Sequence, residues 1–206
     1  MPTLYSQLFL PQFLCQSVDY FKKEGERWME TNPNAVTSFC RHVEKRLEQA
    51  HDMGVYYLPS SKEPLLVNVV EKQLLSPHVD SFLLQPRNLF PLMSIQNFSQ
   101  KTMQDLHLLY LHLRRVQKLD ALRSAFLCHA KQTGKEIIDN TPNSKDIIPL
   151  LLKFKLHLEM VTRDAFSAQE LFVNFLKEVM KDELNESNNT FHLIEDLMAK
   201  HDDGQL

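Results

Sequence analysis

An all-α fold is what this sequence predicts, and three observations carry the expectation. Glycine is scarce, at 4 of 206 residues, while Leu, Lys, Glu, Gln and Met recur, and such side chains lose little rotamer freedom in a helix. Apolar residues return at three- and four-residue spacing along most of the chain, the period of one helix face. No segment carries the strict alternation of a half-buried strand. With 43% hydrophobic and 24% charged residues, the composition is that of a folded globular protein rather than a disordered one. A chain of this length can bury a core without disulfide staples.

The first helical block runs from about Leu4 to Met29. Asn32-Pro33 then offers a cap followed by proline at the first helical position, where a missing N–H costs nothing. The helix it opens carries Val36, Cys40, Val43, Leu47 and Ala50 on one stripe, and Gly54 loosens its last turn. Ser60 and Glu63 read as a capping box with Pro64 in the first turn, opening a helix through Leu75. The prolines between Ser76 and Pro91 allow a turn or two of helix around His78 to Leu84 and an irregular link. Ser99 caps a long element lined by Leu106, Leu109, Tyr110, Leu113 and Val116. The next, lined by Leu119, Leu122 and Phe126, ends near Gly134, and the two are expected to pair as a helical hairpin. Beyond the loop from Asn140 to Ser144, residues Ile147 to Val161 are apolar enough for burial on more than one side. A second capping box, Ser167 with Glu170, introduces Ala168, Leu171, Phe172, Phe175, Leu176, Val179 and Met180 on one face. Asn185, Asn188 and Asn189 end that helix.

Several function classes are disfavoured. A formal charge of -3 supplies no field for nucleic acid, and the clusters Arg41, Lys45, Arg46 and Arg114, Arg115, Lys118 read as solvated helix faces. Cys15, Cys40 and Cys128 are odd in number and widely spaced, which fits a reducing compartment better than a disulfide framework or a zinc site. No run approaches the ~20 apolar residues that span a bilayer. Leu4 to Cys15 lacks the preceding cations and the unbroken apolar stretch of a secretory leader. The expected location is cytoplasmic, nuclear or both.

Motifs for chemistry are likewise missing from the sequence. Gly25, Gly54, Gly134 and Gly204 form no phosphate-binding loop, and no G-x-S-x-G occurs. Cys128 and His129 are neighbours on a helix and point about 100° apart, so Cys128 reads as a buried thiol rather than a nucleophile. His107 and His112 stand five apart, a spacing that splays them around a helix. Glu24 with Glu26 and Asp202 with Asp203 read as solvated charge, and Tyr56, Tyr57 and Tyr110 as core positions. No catalytic, cofactor-binding or metal-ligating residue is assigned, and no enzymatic role is expected.

Phe21-Lys-Lys-Glu-Gly-Glu-Arg-Trp-Met29, His42-Val-Glu-Lys-Arg-Leu-Glu48 with Tyr57-Leu58, and Val70-Glu-Lys-Gln-Leu-Leu75 with His78 occur in an order that resembles cullin repeats. Asp105-Leu-His-Leu-Leu-Tyr110, Arg115-Val116 and the spacing from His129 to Gly134 continue it, with a shortened turn at Gln117 to Leu119 that lacks the family's common glycine. Leu151-Leu-Lys-Phe-Lys155, Phe166 and Phe172 to Phe175 resemble the last stalk repeat, with Met180 to Asn185 in place of its usual ending, and Asp196-Leu-Met-Ala-Lys-His201 resembles the start of the family's C-terminal domain. The resemblance is strongest to the cullin-four class.

The resemblance implies an elongated array of helical bundles, about one and a half five-helix repeats. Residues 1–32 would end a preceding repeat, 33–140 form a bundle, 141–186 begin a further repeat, and 187–206 form the tail. It implies a non-catalytic spacer in a cullin-RING ubiquitin ligase, with protein partners in that complex. No counterpart is found of the regions that dock the adapter, hold the RING subunit or carry the modified lysine. The alternatives are a helical adaptor or tethering protein unrelated to ubiquitin transfer, and a truncated, non-functional cullin copy.

Overall fold

The structure, a computed structural model, describes residues 8–32, 35–59, 62, 64–141, 144–170 and 172–174. Every regular element among them is helical. Helix α1 is Leu10–Thr31 and α2 is Val36–Tyr57. Asn32 closes α1 instead of opening α2: its backbone N–H donates to the Trp28 carbonyl at 3.0 Å and its side-chain amide donates to the same oxygen at 3.4 Å. With α2 beginning at Val36, the residue at its N-cap is Ala35, not Asn32. Entry into α2 is through Ala35, whose side chain caps nothing, and Pro33 lies outside the described residues. The expected stripe of Val36, Cys40, Val43, Leu47 and Ala50 is buried throughout, together with Phe39 and Gly54.

Helix α3, Pro64–Val70, widens into a π-helical turn at Glu71–Leu75, tightens into a 3₁₀ turn at Ser76–His78 and widens again at Val79–Leu83. Pro77 has no N–H for a helical ladder, and the change of winding carries the chain past it. The Ser76 hydroxyl donates to the Glu71 carbonyl at 2.9 Å, an oxygen that also accepts from the Ser76 backbone N–H. The Ser60 and Glu63 capping box falls outside the described residues. What was expected to be an irregular link contains a helix, α4, at Pro86–Met93. Pro86 pre-sets the first helical φ, and the buried Asn88 amide anchors the turn by donating to the Phe82 carbonyl at 2.9 Å.

Helix α5, Gln100–Arg115, starts directly after Ser99 and buries Leu106, Leu109, Tyr110 and Leu113. It packs on α2, far back in sequence, whereas local spacing had paired it with the next helix. That helix, α6, is Leu119–Asn140 and runs through Gly134 rather than ending there. A helical glycine costs about 1 kcal/mol against alanine, a penalty that packing of the rest of a long helix easily outweighs. Helix α7, Ser144–Met160, continues in a π-helical turn, Val161–Ala165. It is buried on one side only: Phe154 and Leu158 point inward while Leu156 is 63% exposed.

The second capping box does not form. Ser167 and Ala168 hold φ of 55° and 50°, the left-handed region, while a capping serine needs extended backbone. The last described turn starts at Gln169, whose carbonyl accepts from the N–H groups of Phe172 and Val173. Leu171, Phe175, Leu176, Val179, Met180, the asparagine cluster and the 187–206 tail lie outside the described residues.

The chain divides into two compact units, Met1–Leu92 with Gln100–Leu122, and Met93–Ser99 with Arg123–Leu206. In the first, α1 and α2 both pack on α3 and its π-helical continuation. Aromatic contacts organise the core: Trp28 lies 5.1 Å from Phe39, which meets Phe82 edge-on at 5.9 Å and His78 edge-on at 5.7 Å. In the second, Phe126, Phe166 and Phe172 form a fully buried cluster, with ring centroids 4.4 to 6.2 Å apart. Aromatic pairs of this kind contribute roughly 0.5–1.5 kcal/mol beyond their burial.

Candidate functional site

Arg41, Lys45, Arg114, Arg115 and Lys118 face solvent as the sequence suggested, and most of the two basic clusters also reaches across to a neighbouring helix. Arg46 on α2 donates from Nε to Glu24 Oε1 on α1 at 2.8 Å and again from Nη2. Glu24 is therefore mostly buried and paired, contrary to its reading as wet charge. His42, one turn before Arg46, lies with Nε2 3.3 Å from the same carboxylate oxygen and stacks on Trp28. Burial lowers the His42 pKa and outweighs the pull of Glu24, so the ring is neutral near pH 7.

A second junction joins α2 to α5. Arg41 Nη2 donates to Asp105 Oδ1 at 2.6 Å, with Asp105 buried and the arginine half in water. Deeper in the interface, fully buried His112 sits with Nε2 2.8 Å from the Cys40 carbonyl. A carbonyl can only accept, so the imidazole holds its proton on Nε2. Burial lowers the His112 pKa despite that hydrogen bond and the nearby Glu44. The Cys40 thiol is pushed up to about 12, first by burial and then by Asp105, so it is an inert core side chain.

The other basic cluster is also partnered. Lys118 meets Asp80 at 2.9 Å, Arg115 reaches Glu71 at 3.4 Å, and the Arg114 guanidinium stands 5.8 Å over the Tyr110 ring. The pairs at Asp80 and Glu71 tie the end of α5 to the wound segment after α3. Exposed pairs of this sort are worth at most about 1 kcal/mol each. Their value is register.

Cys128, expected to be a buried thiol, is exposed, and its neighbour His129 is buried instead. The phase of Leu122, Phe126 and Ala130, all buried, brings position 129 inward and turns 128 out. That signal was present in the sequence. Tyr110 is a core residue as expected, but Tyr56 is 81% exposed and Tyr57 is exposed beside it, near exposed Met53 and Val55. These positions follow the buried stripe of α2 past its last packed turn. Among the described residues, no group of three His, Cys, Asp or Glu could hold a metal ion, and no helix is long and apolar enough to cross a membrane.

Helices pinned to one another by ion pairs and by imidazoles on backbone carbonyls define a packing scaffold, the class to which an α-solenoid belongs. The chain is a member of the cullin family: the family's alpha solenoid domain matches residues 2–206. It is 31% identical to Cullin-4A of Homo sapiens over 204 residues, which is 98% of this chain and 25% of that protein. Cullin-4A of Mus musculus is 30% identical over the same length, and Cullin-4 of Dictyostelium discoideum 25% identical over 178 residues. The chain spans about a quarter of the length of these relatives. The resemblance to the cullin-four class therefore extends beyond the motifs that first suggested it.

Proposed function

We propose that this chain is a non-catalytic scaffold segment of a cullin-RING ubiquitin ligase, acting in ubiquitin-dependent protein degradation in the cytoplasm, the nucleus or both. The observation that carries the reading is the solenoid match along residues 2–206. The cross-helix fasteners support it, because a spacer works by stiffness: it fixes the separation of two bound groups and so raises their effective concentration. Residues 1–32 then end one repeat, 33–140 form the next and 141–186 open another. The adapter-docking and RING-holding regions lie outside this chain.

A chimera tests the proposal. In human Cullin-4A, the 204-residue match is replaced by this chain, and ubiquitin transfer is measured in a reconstituted ligase. Transfer at a rate within about tenfold of the parent is the expected result. A folded chimera that binds both adapter and RING subunit yet transfers nothing would overturn the reading. Direct RING binding by the isolated chain would overturn the placement of that region elsewhere.

A further inference from the structure

Over its last turns α2 presents large apolar side chains to water. Met53, Val55 and Tyr57 are 42–54% exposed and Tyr56 is 81% exposed, whereas the residues that α2 buries in the same turns are the small Ala50 and Gly54. The Tyr56 and Tyr57 rings brace each other edge-on at 4.7 Å, so part of the rotamer freedom that docking would remove is already lost.

The patch extends onto α1. Arg46, Gln49, Met53 and Tyr56 follow one another at three- and four-residue steps, which places them on one helix face. At the head of that face Arg46 donates to Gln49 Oε1 at 2.7 Å and reaches the Tyr20 hydroxyl on α1 at 3.4 Å, and Tyr20 is itself 53% exposed. Glu24 opposite Arg46 and Trp28 opposite Phe39 set the two helices antiparallel, which brings the start of α1 to the end of α2. Leu8 and Phe9 stand there, 65% and 45% exposed. At roughly 200 Å² for a whole large side chain, these exposures leave on the order of 800 Å² open to water. The largest apolar patch on a monomer is typically about 300–600 Å², and a stable interface takes about 800 Å² from each partner.

The centre of the patch is uncharged, and its edge carries both signs: Glu48 and Asp52 on α2 and Lys62 beyond it are all exposed. The arginine at its head is already held by Glu24. Such a surface offers no single sign for a strongly charged partner to read, and it suits a second copy of itself. We propose that the end of α2 and the start of α1 form a two-fold interface between copies of this chain, with Met53 and Tyr56 of each copy packed at its centre. Tyrosine and methionine are enriched in interface cores. Because each copy uses the same patch on the other, assembly closes at two.

Sedimentation equilibrium of the intact chain over about 1–100 μM tests the interface. A monomer–dimer equilibrium is expected in this range, weakened at least roughly tenfold by Tyr56→Glu and unchanged by Leu156→Glu, which alters an exposed apolar side chain of α7. Circular dichroism checks that both variants are folded. Should Tyr56→Glu not fold, Met53→Gln takes its place, with the same loss expected. A monomer throughout the range overturns the proposal, as does a dimer that Tyr56→Glu leaves intact or that Leu156→Glu weakens equally. Species that grow past the dimer with concentration overturn the two-fold closure.

Discussion

Replacing Gln117 by glycine should stabilise the first unit. Gln117 ends α5 with φ of 57°, and its N–H donates to the Arg114 carbonyl at 3.2 Å while that of Lys118 donates to the Leu113 carbonyl at 2.9 Å. This is a Schellman closure, in which the left-handed position is the one that glycine usually fills. An L side chain there costs about 1–2 kcal/mol. Glycine returns roughly 0.5–1 kcal/mol of that through the larger freedom of its unfolded chain. The Gln117 side chain is exposed, so little packing is lost, and the net expectation is a gain of about 0.5–1 kcal/mol. Urea unfolding followed by Trp28 fluorescence measures it, since Trp28 is the only tryptophan and packs within the same unit. Gln117→Ala keeps the Cβ and should change stability by less than about 0.5 kcal/mol. Equal stabilities for the glycine and alanine variants, or a loss with glycine, would refute the claim that strain at this turn is carried by the Cβ.

Three further outcomes follow from the packing. At Gly25 an added Cβ would stand 2.7 Å from His78 Nε2 and 3.3 Å from Leu74 Cδ1, so Gly25→Ala should cost about 1–3 kcal/mol despite alanine's better helix propensity, read from a lowered urea midpoint. Native thiol titration should label Cys15 and Cys128, both exposed, and leave Cys40 unlabelled until the chain unfolds; fast labelling of Cys40 would contradict its burial. Because burial lowers the His112 pKa below 6.5, its contribution to the first unit is complete above that pH and is lost on acidification. The slope of stability between about pH 7 and pH 5 should therefore be shallower in His112→Gln than in the natural chain, as measured by urea midpoints.

Where a pattern is local, the sequence was a good guide. The α2 stripe, the apolar positions of α5 and the turn residues near His78 are set by side chains within one or two helical turns, and each lies where the spacing put it. Cys128 was misassigned although the phase of Leu122 and Phe126 contained the answer. Gly134 misled because a propensity cost of about 1 kcal/mol is easily overridden by packing. The partners of the charged clusters were missed for a different reason. Arg41 finds Asp105 64 residues away and Arg46 finds Glu24 22 residues away, separations at which no local spacing rule operates.

Composition, helical period and the order of motifs together determined an all-α member of the cullin family, because those properties depend on each segment's own preference for helix and on which side of it is apolar. Only the tertiary structure decided which helix lies against which. It put α5 on α2, gave part-exposed arginines and lysines partners on other helices, and brought the His112 ring to the Cys40 carbonyl. A polar side chain at an exposed-looking position has many possible partners of nearly equal merit, and the choice among them is made by the packing of the apolar faces, which fixes what comes within 3 Å of it.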